Sequence, residues 1–210
     1  STSAALQEAL LAGAYANIPF QMGVAITQGL PWDASDPRYW LSGGAGNAQH
    51  NDCIRRALPA AQTTCFVSMH SAVNMLPTSS NNNGPIRFMD ADANVIGTLF
   101  VQPTGIVTFN YGNGSVSSAG PVVVASASHH FEMELVSGAT KSFKLYVDEV
   151  LAINSTGLNF QFTTDVALLG LLYASVAESA VGHYTYLTDL IVRDTNGGVN
   201  DTIPIGDRRV

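Results

Sequence analysis

Residues 131–135, Phe-Glu-Met-Glu-Leu, alternate apolar and acidic side chains with a period of two. That period fits a strand with Phe131, Met133 and Leu135 on one face and Glu132 and Glu134 on the other. Ser137-Gly138-Ala139 supplies turn chemistry, after which Phe143, Leu145 and Val147 resume the alternation against Ser142, Lys144 and Tyr146. Asp148-Glu149 has the length of a tight hairpin loop and leads into Val150-Leu151-Ala152-Ile153. The stretch predicts three successive antiparallel strands, buried on one face and wet on the other, in the middle of a β-sandwich.

The rest of the chain is punctuated in the same way. Residues 21–28, 52–58, 60–75, 86–88, 95–101, 107–111, 122–125 and 166–175 read as further strands, about ten to thirteen in all. In 52–58, Cys53 and Arg55 share a face. In 60–75, Thr64, Phe66, Ser68 and His70 oppose Cys65, Val67 and Met69. Residues 30–46, broken by Pro31, Pro37, Gly43, Gly44 and Gly46, read as a loop carrying Trp32, Tyr39 and Trp40. Residues 76–85 are a polar loop, and 89–94 and 112–115 are turns. The expected fold is all-β, an antiparallel two-sheet sandwich over 21–210 with a short N-terminal arm over 1–20. Ile18-Pro19-Phe20 ends any helix there, and Leu6, Leu10 and Ala9 share one helical face. Residues 4–14 lack a basic n-region and carry Glu8, which argues against a signal peptide. The arm either docks on a neighbour or frays.

Composition excludes some partners. The formal net charge is -7 and only 12% of residues are charged; Lys141 and Lys144 are the only lysines. Phosphate contacts need clustered Lys and Arg, so no nucleic-acid partner is expected. No run of eighteen apolar residues exists, so no helical membrane span is expected either. So little charge suits a chain packed against other subunits. Cys53 and Cys65 read as buried free thiols, with a cross-strand disulfide as the alternative.

Four groupings invite chemistry. Asp90-x-Asp92-x-Asn94 opens like a calcium loop, but Val95 and Val101 stand where an EF-hand needs Gly and Glu, so a hairpin turn is the expectation. Glu132-x-Glu134 has glycosidase-like spacing, yet a solvated strand face explains the pair. His129 and His130 point to opposite faces of a strand, so they do not share an ion with His183. Neither a serine elbow nor a phosphate-cradling loop with Lys occurs. Three Asn-x-Ser/Thr sequons begin at Asn113, Asn154 and Asn200. The expectation is therefore no catalytic residue, metal or cofactor. Aromatic faces suit sugar C–H surfaces, which makes Trp32, Trp40, Tyr111 and Asn113 candidate carbohydrate contacts; otherwise the tryptophans plug one end of the sandwich.

The run of His and aromatics, a short turn and the strand ending Leu145-Tyr146-Val147-Asp148 resemble the concanavalin A-like lectin/glucanase jelly roll. More narrowly, residues 183–200, HYTYLTDLIVRDTNGGVN, with Ile205-Gly206-Asp207-Arg208-Arg209-Val210, resemble the ending of bacteriophage virion proteins built on that fold. Those relatives carry a tryptophan before the His-rich strand, where this chain has Ser128 or His129. The resemblance covers roughly residues 47–210. It implies a non-enzymatic virion protein, displayed on the head or tail of the particle and made in the bacterial cytoplasm. Its partners would be other virion proteins, copies of itself and bacterial surface polysaccharide. A receptor-recognition module of a tail fibre is the alternative, and a glycoside hydrolase a third.

Overall fold

The structure is a computed structural model that describes residues 24–43, 54–80, 83–174 and 183–193. Thirteen strands run through them, and no helix occurs among the described residues. In chain order they are β1 (Val24–Gln28), β2 (Tyr39–Gly43), β3 (Ile54–Gln62), β4 (Thr64–Val73), β5 (Asn83–Met89), β6 (Val95–Val101) and β7 (Val107–Asn110). Then follow β8 (Ser115–Ser117), β9 (Ser128–Val136), β10 (Ser142–Val147), β11 (Val150–Thr156), β12 (Val166–Ala174) and β13 (Thr185–Arg193). They form a seven-stranded sheet, β1-β2-β13-β4-β9-β10-β11, and a six-stranded sheet, β3-β12-β5-β6-β7-β8. Every pairing is antiparallel.

The period-two reading of 131–135 is correct about its inner face. Phe131, Met133 and Leu135 are buried against Phe143, Leu145 and Val147 of β10 and Cys65, Val67 and Met69 of β4. The six-stranded sheet answers with Ile86, Phe88, Leu99, Phe109, Leu169 and Leu171. At the centre the Phe109 and Phe143 rings stack with centroids 3.7 Å apart and planes 7° from parallel, while Phe88 and Phe160 meet Phe109 edge-on. Gly97 is required beneath them, because a β-carbon there would overlap the Phe109 ring. The Asp148-Glu149 hairpin is as read: both residues have positive φ, 50° and 67°, as a two-residue turn between twisted strands demands.

Several boundaries differ from the sequence reading. The meander β9-β10-β11 runs out to an edge of its sheet rather than lying in the middle. Residues 39–43 form β2, not a loop. β8 occupies 115–117, starting at the last residue of the expected 112–115 turn, and 122–125 is not a strand. The Val122 and Val123 N–H groups both donate to the Gly105 carbonyl, and Val124 N–H donates to an imidazole, so no donors remain there for a ladder. Pro59 lies inside β3, an edge strand that tolerates the missing donor. Pro85 lies inside β5, opposite Leu172, whose φ of 57° breaks the ladder at the same point. The arm over 1–20, Cys53 and the distinctive ending over 194–210 lie outside the described residues.

Candidate functional site

β4 and β9 each send alternate residues to the two faces of the seven-stranded sheet. With Cys65, Val67 and Met69 turned to the core, Phe66, Ser68, His70 and Ala72 face away from it. The register sets His70 against His130, Ser68 against Glu132 and Phe66 against Glu134. β10 adds Tyr146 opposite Glu132 and Lys144 opposite Glu134. β13 contributes Tyr186 opposite Ala72, Thr188 opposite His70 and Arg193 opposite Phe66. The outer face thus becomes a polar seam of imidazole, hydroxyl and carboxylate.

The His70 and His130 rings stack with centroids 4.8 Å apart at 27°. His130 Nε2 lies 2.8 Å from Ser68 Oγ, and His70 Nδ1 lies 3.3 Å from Asp189 Oδ2. Asp189 occupies a bulge of β13 at φ 54°, which aims its carboxylate back at His70. The His70 hydrogen bond holds that carboxyl below the usual range, outweighing burial, with the His70 and Arg38 charges and Thr188 assisting. Farther along, Lys144 Nζ donates to Glu134 Oε2 at 3.2 Å, and the Arg193 guanidinium lies 5.6 Å from the Phe66 ring centre. At the opposite end Trp32 meets Tyr186 edge-on, with centroids 5.3 Å apart, in a small cluster with Leu30 and Ala72. Burial pushes the Tyr186 hydroxyl pKa up, with Tyr184 adding to the shift.

Glu132 corrects the sequence reading. It is only 1% exposed, so the outer face of β9 is not a wet face. The pair therefore does not present two open carboxylates: one is sealed and the other is held by Lys144. His129 and His130 do take opposite faces. His129 Nε2 accepts the Val124 N–H at 3.0 Å, so its proton sits on Nδ1 and is donated to Asp148 Oδ2 at 2.7 Å. Asp148 Oδ1 also accepts the His130 backbone N–H at 2.8 Å. His183 is buried. The Asp90 carboxylate is filled by four donors: the Asp92 and Asn94 backbone N–H groups, Asn94 Nδ2 and the Thr164 hydroxyl. It closes the β5–β6 turn, as expected of Asp and Asn there. Among the described residues no cluster of three or more His, Cys, Asp or Glu side chains is placed to hold a metal.

The four sequence candidates for carbohydrate contact are not gathered into one place. Trp32 sits at one end of the polar seam, half-buried. Trp40 lies in β2 opposite Thr27. Tyr111 follows β7 of the other sheet and packs on Phe109 and Phe160, while Asn113 is exposed in the neighbouring turn. The sequence reading put Ser68 and His70 on one strand face but did not single them out as site residues or join them to Tyr186, Asp189 and Arg193. The alternation of 64–70 held the signal for the first two, but the pairing of β4 with β9 and β13 did not show.

No protein-family model matches the chain, and no curated protein matches it. Among solved structures it is similar to an endo-β-1,4-glucuronan lyase from the fungus Trichoderma reesei: TM-score 0.57, 12% identity, 87% of this chain and 92% of that one. It is also similar to an alginate lyase from Corynebacterium sp.: TM-score 0.56, 11% identity, 85% of this chain and 82% of that one. A sialidase matches with TM-score 0.54 and 15% identity over 83% of this chain, which spans 17% of the sialidase's length. At such identities the likeness speaks for the fold alone, a concanavalin A-like jelly-roll sandwich.

Proposed function

We propose that the chain is a non-enzymatic, lectin-like sandwich displayed on a bacteriophage particle, and that the outer face of its seven-stranded sheet contacts host-surface glycan. The observation that carries the glycan reading is the seam itself. A buried floor of imidazole, hydroxyl and carboxylate groups lies between an aromatic end, where half-buried Trp32 meets Tyr186, and a cationic end, half-buried Arg193 and Lys144, so the contacts open to a sugar are Trp32, Lys144, Arg193 and exposed Asp189. Sugars need that combination, because their C–H faces stack on rings while their hydroxyls take paired donors and acceptors. The glucuronan lyase and the alginate lyase that the chain is similar to act on polysaccharides, which supports a polysaccharide ligand. The virion setting rests on the resemblance of residues 183–210 to phage endings, and the sparse charge of the chain agrees with it. Head decoration and tail component are both compatible with this role.

A binding role is preferred to cutting because Glu132 is sealed and Glu134 is engaged by Lys144. The paired imidazoles with Tyr146 on the same face favour one second reading, a polysaccharide lyase, since such groups shuttle protons. A polysaccharide array with the whole chain tests both. The binding reading expects retention of a bacterial surface polysaccharide, weakened roughly tenfold by Trp32→Ala, with no new unsaturated sugar product. Ultraviolet-absorbing product from alginate or polyglucuronate would transfer the role to the lyase reading. Silence in both assays would reject the glycan contact.

A further inference from the structure

We infer that β11 is an interaction edge whose partner is β11 of a second copy of this chain, joined antiparallel about a two-fold axis. β11 ends the seven-stranded sheet: β10 pairs with one side of it, and no described strand hydrogen-bonds to the other. An edge of that kind is a template for another strand unless lysine, proline or an inward charge blocks it. From Val150 to Thr156 there is no charged residue and no proline, in a sequence rich in strand-forming side chains. Val150 is 67% exposed and Leu151 47%, the two most open large apolar side chains on this border of the sandwich. The six-stranded sheet offers no barrier there. Its own border strand, β8, is the short uncharged Ser115-Val116-Ser117. Among the described residues the protective feature at this edge is the bulge that leaves Ala152 without a partner on β10; it bends β11 but does not cover it.

Charge selects both the partner and its direction. The acidic turn Asp148-Glu149 stands at one end of β11. At the other end the Leu158 N–H donates to the Lys141 carbonyl at 3.2 Å, which places one of the chain's two lysines beside the strand exit. An antiparallel pairing centred near Ile153 brings the acidic end of each copy to the Lys141 end of the other, twice by symmetry. A parallel pairing would set acid against acid. For a chain of net charge -7 that difference matters, since two copies repel everywhere else. The product is a continuous sheet across two sandwiches, leaving both polar seams free.

The inference stands apart from the glycan reading, and its test separates the two. Sedimentation of the full chain should give a dimer of the 22.1 kDa subunit at high concentration that dissociates on dilution. Leu151→Lys should yield monomer with an unchanged thermal midpoint, because its side chain is exposed in the single copy. Glu149→Lys should raise the dimer Kd roughly tenfold, and adding Lys141→Glu should restore it. Amide exchange in β11 should slow as concentration rises. A chain that stays monomeric, or a dimer indifferent to Leu151→Lys and to both charge reversals, overturns the inference whatever the array reports.

Discussion

The hydrogen-bonded Asp90 carboxylate gives a direct measure of what a filled polar turn contributes to this fold. The carboxylate accepts four hydrogen bonds at 2.8–3.0 Å, two of them from half-buried Asn94 and two from Asp92 and Thr164, which are exposed. Replacement by Ala strips all four, but water takes over the exposed donors. Assigning about 1.5 kcal/mol to each charge-assisted bond from Asn94 and a few tenths to each of the others gives a loss of about 3–4 kcal/mol. In a chain of this size that lowers Tm by roughly 6–16 °C. Burial would by itself raise the Asp90 pKa; the bonds from Asn94, Thr164 and Asp92 outweigh it and hold the group below 3.8. A depressed carboxyl stabilises the fold above its unfolded pKa, and the contribution is lost as pH falls through the lower folded value. Thermal melts of the parent, Asp90→Asn and Asp90→Ala should therefore differ most near neutrality and converge in strong acid, with Asn intermediate. Millimolar calcium should leave the parent's midpoint unmoved, since the oxygens are already occupied. A deficit under about 1 kcal/mol for Asp90→Ala, or one equally large at about pH 7 and about pH 2.5, would refute the reasoning.

Gly97→Ala should destabilise by about 2 kcal/mol through overpacking, because its new methyl meets the Phe109 ring that is stacked on Phe143. Denaturant titration measures this, and Phe109→Leu in the same chain should recover part of the loss as a coupling energy. Cys65 has 0% exposure, and burial pushes its thiol up to about 12. Peptide mapping after treatment with a thiol reagent should find it unmodified in native buffer and modified once the chain is unfolded. His129→Leu should cost about 1 kcal/mol, since it removes the acceptor of the Val124 N–H and the donor to the Asp148 carboxylate while water replaces part of each bond at these exposed residues. Native-state exchange at Val124 reads that loss directly.

The strands whose inner faces alternate over five or more residues were legible, because period two survives without any knowledge of neighbours. β9, β10 and β4 were found that way, while β12 stood out as an apolar run rather than an alternating one. β8 is three residues of Ser and Val, too short to carry a period, and β2 was hidden by Pro37 before it and Gly43 at its end. Val122-Val123-Val124 has strand composition but gives its donors to Gly105 and His129, which no local pattern announces. The candidate site was less legible than the fold for a physical reason. Alternation says which face a residue takes, not what lies over that face, so Glu132 was assigned correctly in direction and wrongly in solvation. The His70–His130 stack needs two strands about sixty residues apart to be neighbours, and that adjacency is a property of the assembled sheet.

The order of the strands has a bearing on how such a chain is made. β12 slots between β3 and β5, and β13 between β2 and β4, so each sheet receives an inner member from late in the sequence. While a ribosome is still extending the chain, the early strands hold gaps that nothing yet fills, with ladder groups and apolar faces open on both sides. Commitment to the native state is then a late event in synthesis rather than a gradual accretion from the first strand. Nascent chains stalled before residue 166 should be recognised by chaperones and proteases as wholly unfolded, however many of their strands have already emerged.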